Sequence, residues 1–487
     1  MTDMPARRPA DAAPATTSRS LLIALLVAGA FFMENLDGTV IATALPQMAV
    51  SFGVRPVDLN IGMSAYLLTL AVFIPISGWI SDRFGARSVF ATAVVVFTVA
   101  SVLCGFANGV GMFVAMRIVQ GVGGAMMVPV GRLVVLNNTP KDQLISAIAT
   151  ITWPALVAPI LGPPLGGFIT DHATWRWIFF LNLPLGVLAF VFAMILIPNV
   201  MRTDRRPFDW TGFVVSGLGL AGFMYGLELV GRPDPVWVEA GGYLIVGAVL
   251  LAVATVHFMR TEHPLVELVG LKKKTFAVTI AGGSLFRIAI GAVPFLLPIM
   301  LQVGFGLTAF HAGLLTLAVF AGNLAMKPGT TPILRRFGFK PVLIVNGLIN
   351  AVLIAACALF SPDTPLWFIL PILFIGGMCR SMHFTALNTI AFADIPPQQM
   401  TGANTLFSTA FQLTMGMGIA VGAIGIRIGQ VVAGQIGLAG VTAIEYRLTF
   451  VMLGLIALLG IVDCLSLDPK AGDNVSRKPK PGARKAA

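Results

Sequence analysis

Residues Leu21–Met48 read LLIALLVAGAFFMENLDGTVIATALPQM, a mainly apolar run whose only charged residues are the acids Glu34 and Asp37. As a helix rising about 1.5 Å per residue, it outspans the roughly 30 Å hydrocarbon core of a bilayer. It is too long for a signal-peptide core and lacks a small-residue cleavage site, so it reads as a first membrane span. Comparable runs recur along the chain, and fourteen candidate helices can be counted, the last ending near residue 466. Of the 487 residues, 57% are hydrophobic and only 11% are charged. Soluble domains carry about 25% charged residues, so this chain has too little polar surface to cover itself in water. The sequence predicts an all-α polytopic membrane protein.

Charge placement predicts the topology. The net charge of +11 does not come from one basic arm or face, which argues against a nucleic-acid partner. Short Lys/Arg clusters instead punctuate alternate loops: Arg83 and Arg87, then Lys141, then Arg202, Arg205 and Arg206, then Arg260 with Lys272 to Lys274, then Arg335, Arg336 and Lys340. Both tails are basic too. The intervening loops hold only Arg55, Arg176, Arg232 and Arg447. The positive-inside rule then places both termini in the cytoplasm, which an even number of spans requires. Cys104, Cys357, Cys379 and Cys464 all fall within apolar runs and read as small buried hydrophobes, with neither disulfide nor metal-ligand spacing. No cofactor is implied.

A weak internal repeat divides the chain. RFGAR at Arg83–Arg87 is answered by RFGFK at Arg336–Lys340, and LLTLAVF occurs at Leu67–Phe73 and again at Leu314–Phe320. Both pairs align span 10 with span 2. The expected organisation is a cytoplasmic tail (1–19), an N-terminal six-helix bundle (20–200), a two-helix insert (205–262), a C-terminal six-helix bundle (275–467) and a basic cytoplasmic tail (468–487). Parallel six-helix halves are an architecture of secondary transporters.

Five stretches carry a resemblance. They are LDGTVIATALP (Leu36–Pro46), GWISDRFGAR (Gly78–Arg87), RIVQGVGGAMMVPVGR (Arg117–Arg132), APILGPPLGG (Ala158–Gly167) and WRWIFFLNLPLG (Trp175–Gly186). In this order, on these spans, the chain resembles the major facilitator superfamily, in its fourteen-span drug:proton antiporter branch. GGAMMVPVGR looks most like the MdtD-type multidrug exporters. The sequence departs from the usual pattern at Ala42, Ala86 and Ala158. The resemblance implies the major facilitator fold, alternating access, a small-molecule substrate, protons as the coupling ion, and a monomer in a bacterial inner membrane. It also implies that Gly78, Asp82, Arg83, Gly85 and Arg87 form a cytoplasmic gate motif, and that Gly162, Pro163, Gly166 and Gly167 form the antiporter motif of span 5. Arg117 is implied in proton translocation.

The charges within the spans have their own logic. Glu34 and Asp37 are three residues apart and share a helix face. Asp37 lies about 25 Å along its span, where a carboxylate needs a cavity or a partner. It could bind and release a proton, or serve as a fixed structural acid. Arg117, about 10 Å from the outer end of span 4, lies at a similar depth and cannot lose its charge. Arg287, about 18 Å deep in span 9, and Arg380, about 22 Å deep in span 12, fall on expected cavity helices, with His383 one turn from Arg380. The predicted substrate cavity therefore combines Arg287, Arg380 and His383 with the two acids, and is more basic than acidic. Two functions follow: proton-coupled efflux of drugs or small toxic metabolites, or export of an anionic metabolite or metal chelate such as a citrate-like organic acid. A receptor or enzyme would need a soluble domain or a nucleophile–base pair, and no loop exceeds about 15 residues.

Overall fold

In the computed structural model, the described residues are 17–54, 59–198, 207–231, 236–307, 309–435, 437 and 441–476. Arg7, Arg8, Arg55, Arg202, Arg205, Arg206, Arg232 and the tail from residue 477 onward, all used above to orient the chain, lie outside the described residues, as does the Pro163 side chain. Every described regular element is helical. The first group is α1 (Thr17–Phe52), α2 (Asn60–Phe73), α3 (Ser77–Phe84), α4 (Ala86–Gly105), α5 (Val110–Asn138), α6 (Leu144–His172), α7 (Trp177–Phe180) and α8 (Asn182–Leu196). Two long helices follow, α9 (Trp210–Gly231) and α10 (Trp237–Arg260). The last group is α11 (Lys274–Ile280), α12 (Gly282–Ile299), α13 (Ala309–Ala325), α14 (Lys327–Phe337), α15 (Phe339–Ala356), α16 (Leu366–Ala393), α17 (Met400–Gln435), α18 (Ile444–Leu465) and the single turn α19 (Asp473–Ser476).

Twelve helical segments among the described residues are long and apolar enough to cross a membrane. Two of the fourteen sequence-predicted spans are not among them. Span 10 is broken: α13 gives way at Met326 to α14, whose Lys327, Arg335 and Arg336 leave only His311–Ala325 as an apolar stretch. Span 5 coincides with α6, several of whose side chains lie outside the described residues. Long helices suit these sequences because lipid offers no partner for a free amide or carbonyl, so each segment must satisfy its own backbone.

Packing follows a repeated scheme. The α1–α6 pair is matched by α12–α17, α2–α5 by α13–α16, and α4–α8 by α15–α18. The RFG repeat acquires a physical meaning here. Gly85 (φ 83°) and Gly338 (φ 78°) each end a short helix with arginine in its last turn and start the next one. Each donates its backbone N–H to the carbonyl four residues back, on Ser81 and Leu334. A side chain at this positive φ would be strained, so glycine is needed in both turns. The counterpart helices also reach across the molecule alike: α3 packs on α17, and α14 packs on α6. The α9–α10 pair leans on α2 and α17 through α9. All four cysteines are free and buried.

Candidate functional site

Asp37 is sealed inside the first group of helices. The length of α1 carries it to the level of Arg117 on α5, whose Nη1 lies 2.6 Å from Asp37 Oδ2. Both residues are almost wholly buried, at 3% and 1% exposure. Gln120, one turn beyond Arg117, donates to Asp37 Oδ1 at 3.0 Å, and Asn182 at the start of α8 donates to the same oxygen at 2.8 Å. Arg117 also donates to Gln120 Oε1 at 2.7 Å, and Asn182 to Ser101 at 2.9 Å. The guanidinium rests 4.5 Å from the centre of the Tyr66 ring. One carboxylate on α1 thus gathers three side chains from α5 and α8, and the charge-assisted bonds among them are the strong kind.

Glu34, one turn away on the same helix, has a different setting. It lines the central cavity, and its Oε2 has no hydrogen-bond partner among the described residues. Tyr66 lies near both acids: its ring carries Arg117, and its hydroxyl and a Glu34 carboxylate oxygen both lie beside Gly124. Of the paired acids predicted from sequence, one therefore faces the cavity and the other is locked behind it.

The cavity, about 400 Å³, lies between the two groups of helices. Its walls are mainly apolar, with Phe31, Phe320, Phe384 and Phe411 prominent. The charged residues lining it are Glu34, Arg132, Lys327 and Arg380. Only Arg380 of the three predicted substrate residues lines this space. Arg287 is 1% exposed and spends its donors on the Thr279 carbonyl (2.8 Å), Thr414 (3.3 Å) and Ser284 (3.4 Å). His383 is 2% exposed and stacks on Phe286, ring centres 3.9 Å apart. Spacing put His383 on the Arg380 side of α16, but that side is wide enough for the imidazole to turn toward α12 and α15 instead.

Lys327 and Arg132 were not singled out from sequence for this cavity. Lys327 starts α14 where span 10 breaks, and Nζ donates to Thr385 at 3.2 Å. Asn323, one turn earlier, is fully buried on the cavity wall, and neither polar atom of its amide has a partner among the described residues. A cation beside a Pro-Gly helix break, with an amide at i−4, was the available signal. Arg132 lies near the end of its predicted span, where a long side chain can reach the membrane surface. It instead points across to α17, 3.4 Å from Ser408 Oγ and over the Phe407 ring at 4.9 Å.

Two of the gate-motif residues, Gly78 and Asp82, meet α17. Gly78 lies so close to Thr405 that a Cβ there would collide with its hydroxyl, and Asp82 accepts a hydrogen bond from Thr401 at 3.0 Å. Arg83 is exposed over the Trp79 ring, while Arg87 is half-buried with Nε unpartnered among the described residues. Besides the Arg132–Ser408 bond at the cavity, further bonds between the two groups lie at this same end: Asn404 to the Pro129 carbonyl (2.8 Å), Lys141 to that of Ala393 (3.2 Å) and Arg335 to that of Asp142 (2.9 Å). In the antiporter motif, Gly162 packs directly on Thr39 of α1, whereas Gly167 has open space around it. Gly166 is buried and its carbonyl accepts from Thr170, whose own carbonyl accepts from Gln47 of α1 at 2.7 Å.

The family model described as Major Facilitator Superfamily matches residues 27–419. The chain is 38% identical over 403 residues to the "Putative multidrug resistance protein MdtD" of Pectobacterium carotovorum subsp. carotovorum (strain PC1), covering 82% of this chain and 85% of that protein. It is 36% identical over 397 residues to the protein of the same description from Escherichia coli O6:H1, covering 81% and 84%. Among solved structures, the human organic anion transporter MFSD10 (TETRAN) superposes with a TM-score of 0.62 at 14% identity, over 92% of this chain and 99% of that one. At that identity the likeness is one of fold.

Proposed function

Because this chain belongs to the major facilitator superfamily, a family of multi-pass membrane transporters rather than enzymes, we propose that it is a proton-coupled antiporter exporting drugs or small toxic metabolites by alternating access. The MdtD proteins it resembles are described as multidrug resistance proteins, which supports the efflux reading. In this reading the chain crosses a bacterial inner membrane fourteen times, as a monomer with both termini in the cytoplasm. Residues 20–200 and 275–467 are the moving halves, and 205–262 is the insert.

The observation that carries the reading is the unequal pair of acids on α1. Asp37 holds α1, α5 and α8 together through charge. A proton on Asp37 cancels the charge that Arg117 faces and weakens those ties. Glu34 stands at the cavity, where protonation and substrate meet. Proton occupancy is thereby connected both to the cavity and to the helix contacts that must change when access alternates. The bonds between halves gather at the gate-motif end, so the proposed cytoplasmic side is the closed one. Opening it must break the Asp82–Thr401 contact and separate Gly78 from Thr405.

The test is transport in proteoliposomes holding a fluorescent drug, under an imposed pH gradient. The wild type is expected to move the drug against its gradient, and Asp37→Asn to lose that uphill movement while still binding the drug. Undiminished gradient-driven transport by Asp37→Asn would remove Asp37 from the coupling step.

A further inference from the structure

The charges around the cavity do not balance. One acid, Glu34, lies on the α1 wall, against three cations: Arg132 from α5, Lys327 from α14 and Arg380 from α16. Arg287 and His383 are excluded from this count because they lie behind the wall. Arg132 has one long bond to Ser408, and Lys327 one to Thr385, both neutral hydroxyls. Arg380 has no hydrogen bond or ion pair to protein among the described residues. A cation at membrane depth is costly unless something of opposite sign meets it. Beside these cations, the fully buried Asn323 and the 1%-exposed Ser381 present polar atoms without protein partners among the described residues. Buried polar groups are almost always hydrogen-bonded, so donors left unused on a cavity wall point to a ligand.

The rest of the wall restricts that ligand. Phe320, Phe384 and Phe411 come from the same C-terminal group as Lys327 and Arg380, and Phe31 faces them from α1. A small, fully hydrated polyanion would be stripped of water against these rings without compensation. An aromatic body would bury them. A cavity of about 400 Å³ falls in the range that encloses a small organic molecule.

We propose that this cavity binds an amphipathic organic anion. Its carboxylate, or a comparable anionic head, is held by Lys327, Arg380 and Asn323, and its aromatic body packs on Phe320, Phe384 and Phe411. The proposal names the substrate class for the transporter proposed above and rests on that reading. Glu34 faces the anion from across the cavity and repels it when ionised.

A matched set of probes tests it: 1-naphthoate, 1-naphthamide and 1-naphthylmethylamine share a ring and differ in charge. Binding to the purified full chain in nanodiscs, without any gradient, should favour the naphthoate over the amine by about tenfold or more, a difference one charge-assisted bond can supply. Lys327→Gln and Arg380→Gln should each erase most of that preference, weakening naphthoate far more than the neutral naphthamide, and Glu34→Gln should tighten naphthoate binding at alkaline pH, where Glu34 is ionised. Equal or stronger binding of the amine, or no binding of the naphthoate, overturns the proposal without needing any variant. Gradient-driven flux separates this from the transport reading. Selective naphthoate binding without proton-driven movement keeps the anion site and rejects proton coupling. Proton-driven movement of the amine, with no naphthoate preference, keeps the antiporter and rejects the anion site.

Discussion

The Asp37–Arg117 pair can be tested as a thermodynamic unit. Asp37→Asn is nearly isosteric, so the change is in charge and in donor count. Asp37 Oδ1 now accepts from Gln120 and Asn182, and Oδ2 accepts from Arg117. An asparagine has one oxygen. If it faces Arg117, its amide NH2 meets two donors; if it faces Gln120 and Asn182, the NH2 meets the guanidinium. In the first orientation Arg117 keeps a neutral acceptor, in the second only Gln120 Oε1 and the Tyr66 ring, and in neither does it keep a counter-charge. Removing one partner of a buried pair costs about 3–5 kcal/mol. Arg117→Gln leaves a buried carboxylate and should cost a similar amount. The double variant removes both charges, and a hydrogen bond between the two introduced amides can replace the ion pair. It should be more stable than the sum of the singles by about 3 kcal/mol. The assay is urea unfolding of each purified variant in the same detergent, followed by Trp fluorescence and combined as a double-mutant cycle. Transport should stay lost in the double variant although stability returns. Additive stabilities would refute the claim that these two charges support one another.

Two further outcomes follow from the gate and the repeat. Gly78→Ala places a methyl group against the Thr405 hydroxyl and should loosen α3 from α17; a cysteine placed at Ser408, otherwise 5% exposed, should then react several-fold faster with a thiol reagent applied from the side of the Gly78–Thr405 contact. An unchanged labelling rate would mean that this contact does not hold the gate. Gly85→Ala and Gly338→Ala each force a side chain into a left-handed turn and should each cost about 1–2 kcal/mol in the same unfolding assay; a marked inequality between them would argue that the two turns are not structural counterparts.

Much of this architecture was legible in the residues alone. Apolar run length exposes the spans, since lipid forces each segment to satisfy its own backbone. RFG in two places marks the glycines that must adopt positive φ, and the structure puts both in the same kind of turn. Span 5 is not one of the twelve helices counted among the described residues, and the break in span 10 was not legible, because a mean over an apolar window hides a charged half-helix that tertiary packing accepts.

The intramembrane charges were legible as a set but not in their roles. Sequence alone placed Asp37, Glu34, Arg117, Arg287, Arg380 and His383 at depth, because helical rise converts residue number into height. Helical rise does not say which neighbour a side chain meets. Only the assembled helices decided that Asp37 is locked on Arg117 while Glu34 faces the cavity, and that Arg287 and His383 sit behind the wall while Lys327 and Arg132 line it. Spacing resolves a helix face to about 100°, and within that arc the packing of neighbouring helices, not the chain itself, determines whether a charge reaches the cavity or is satisfied behind it.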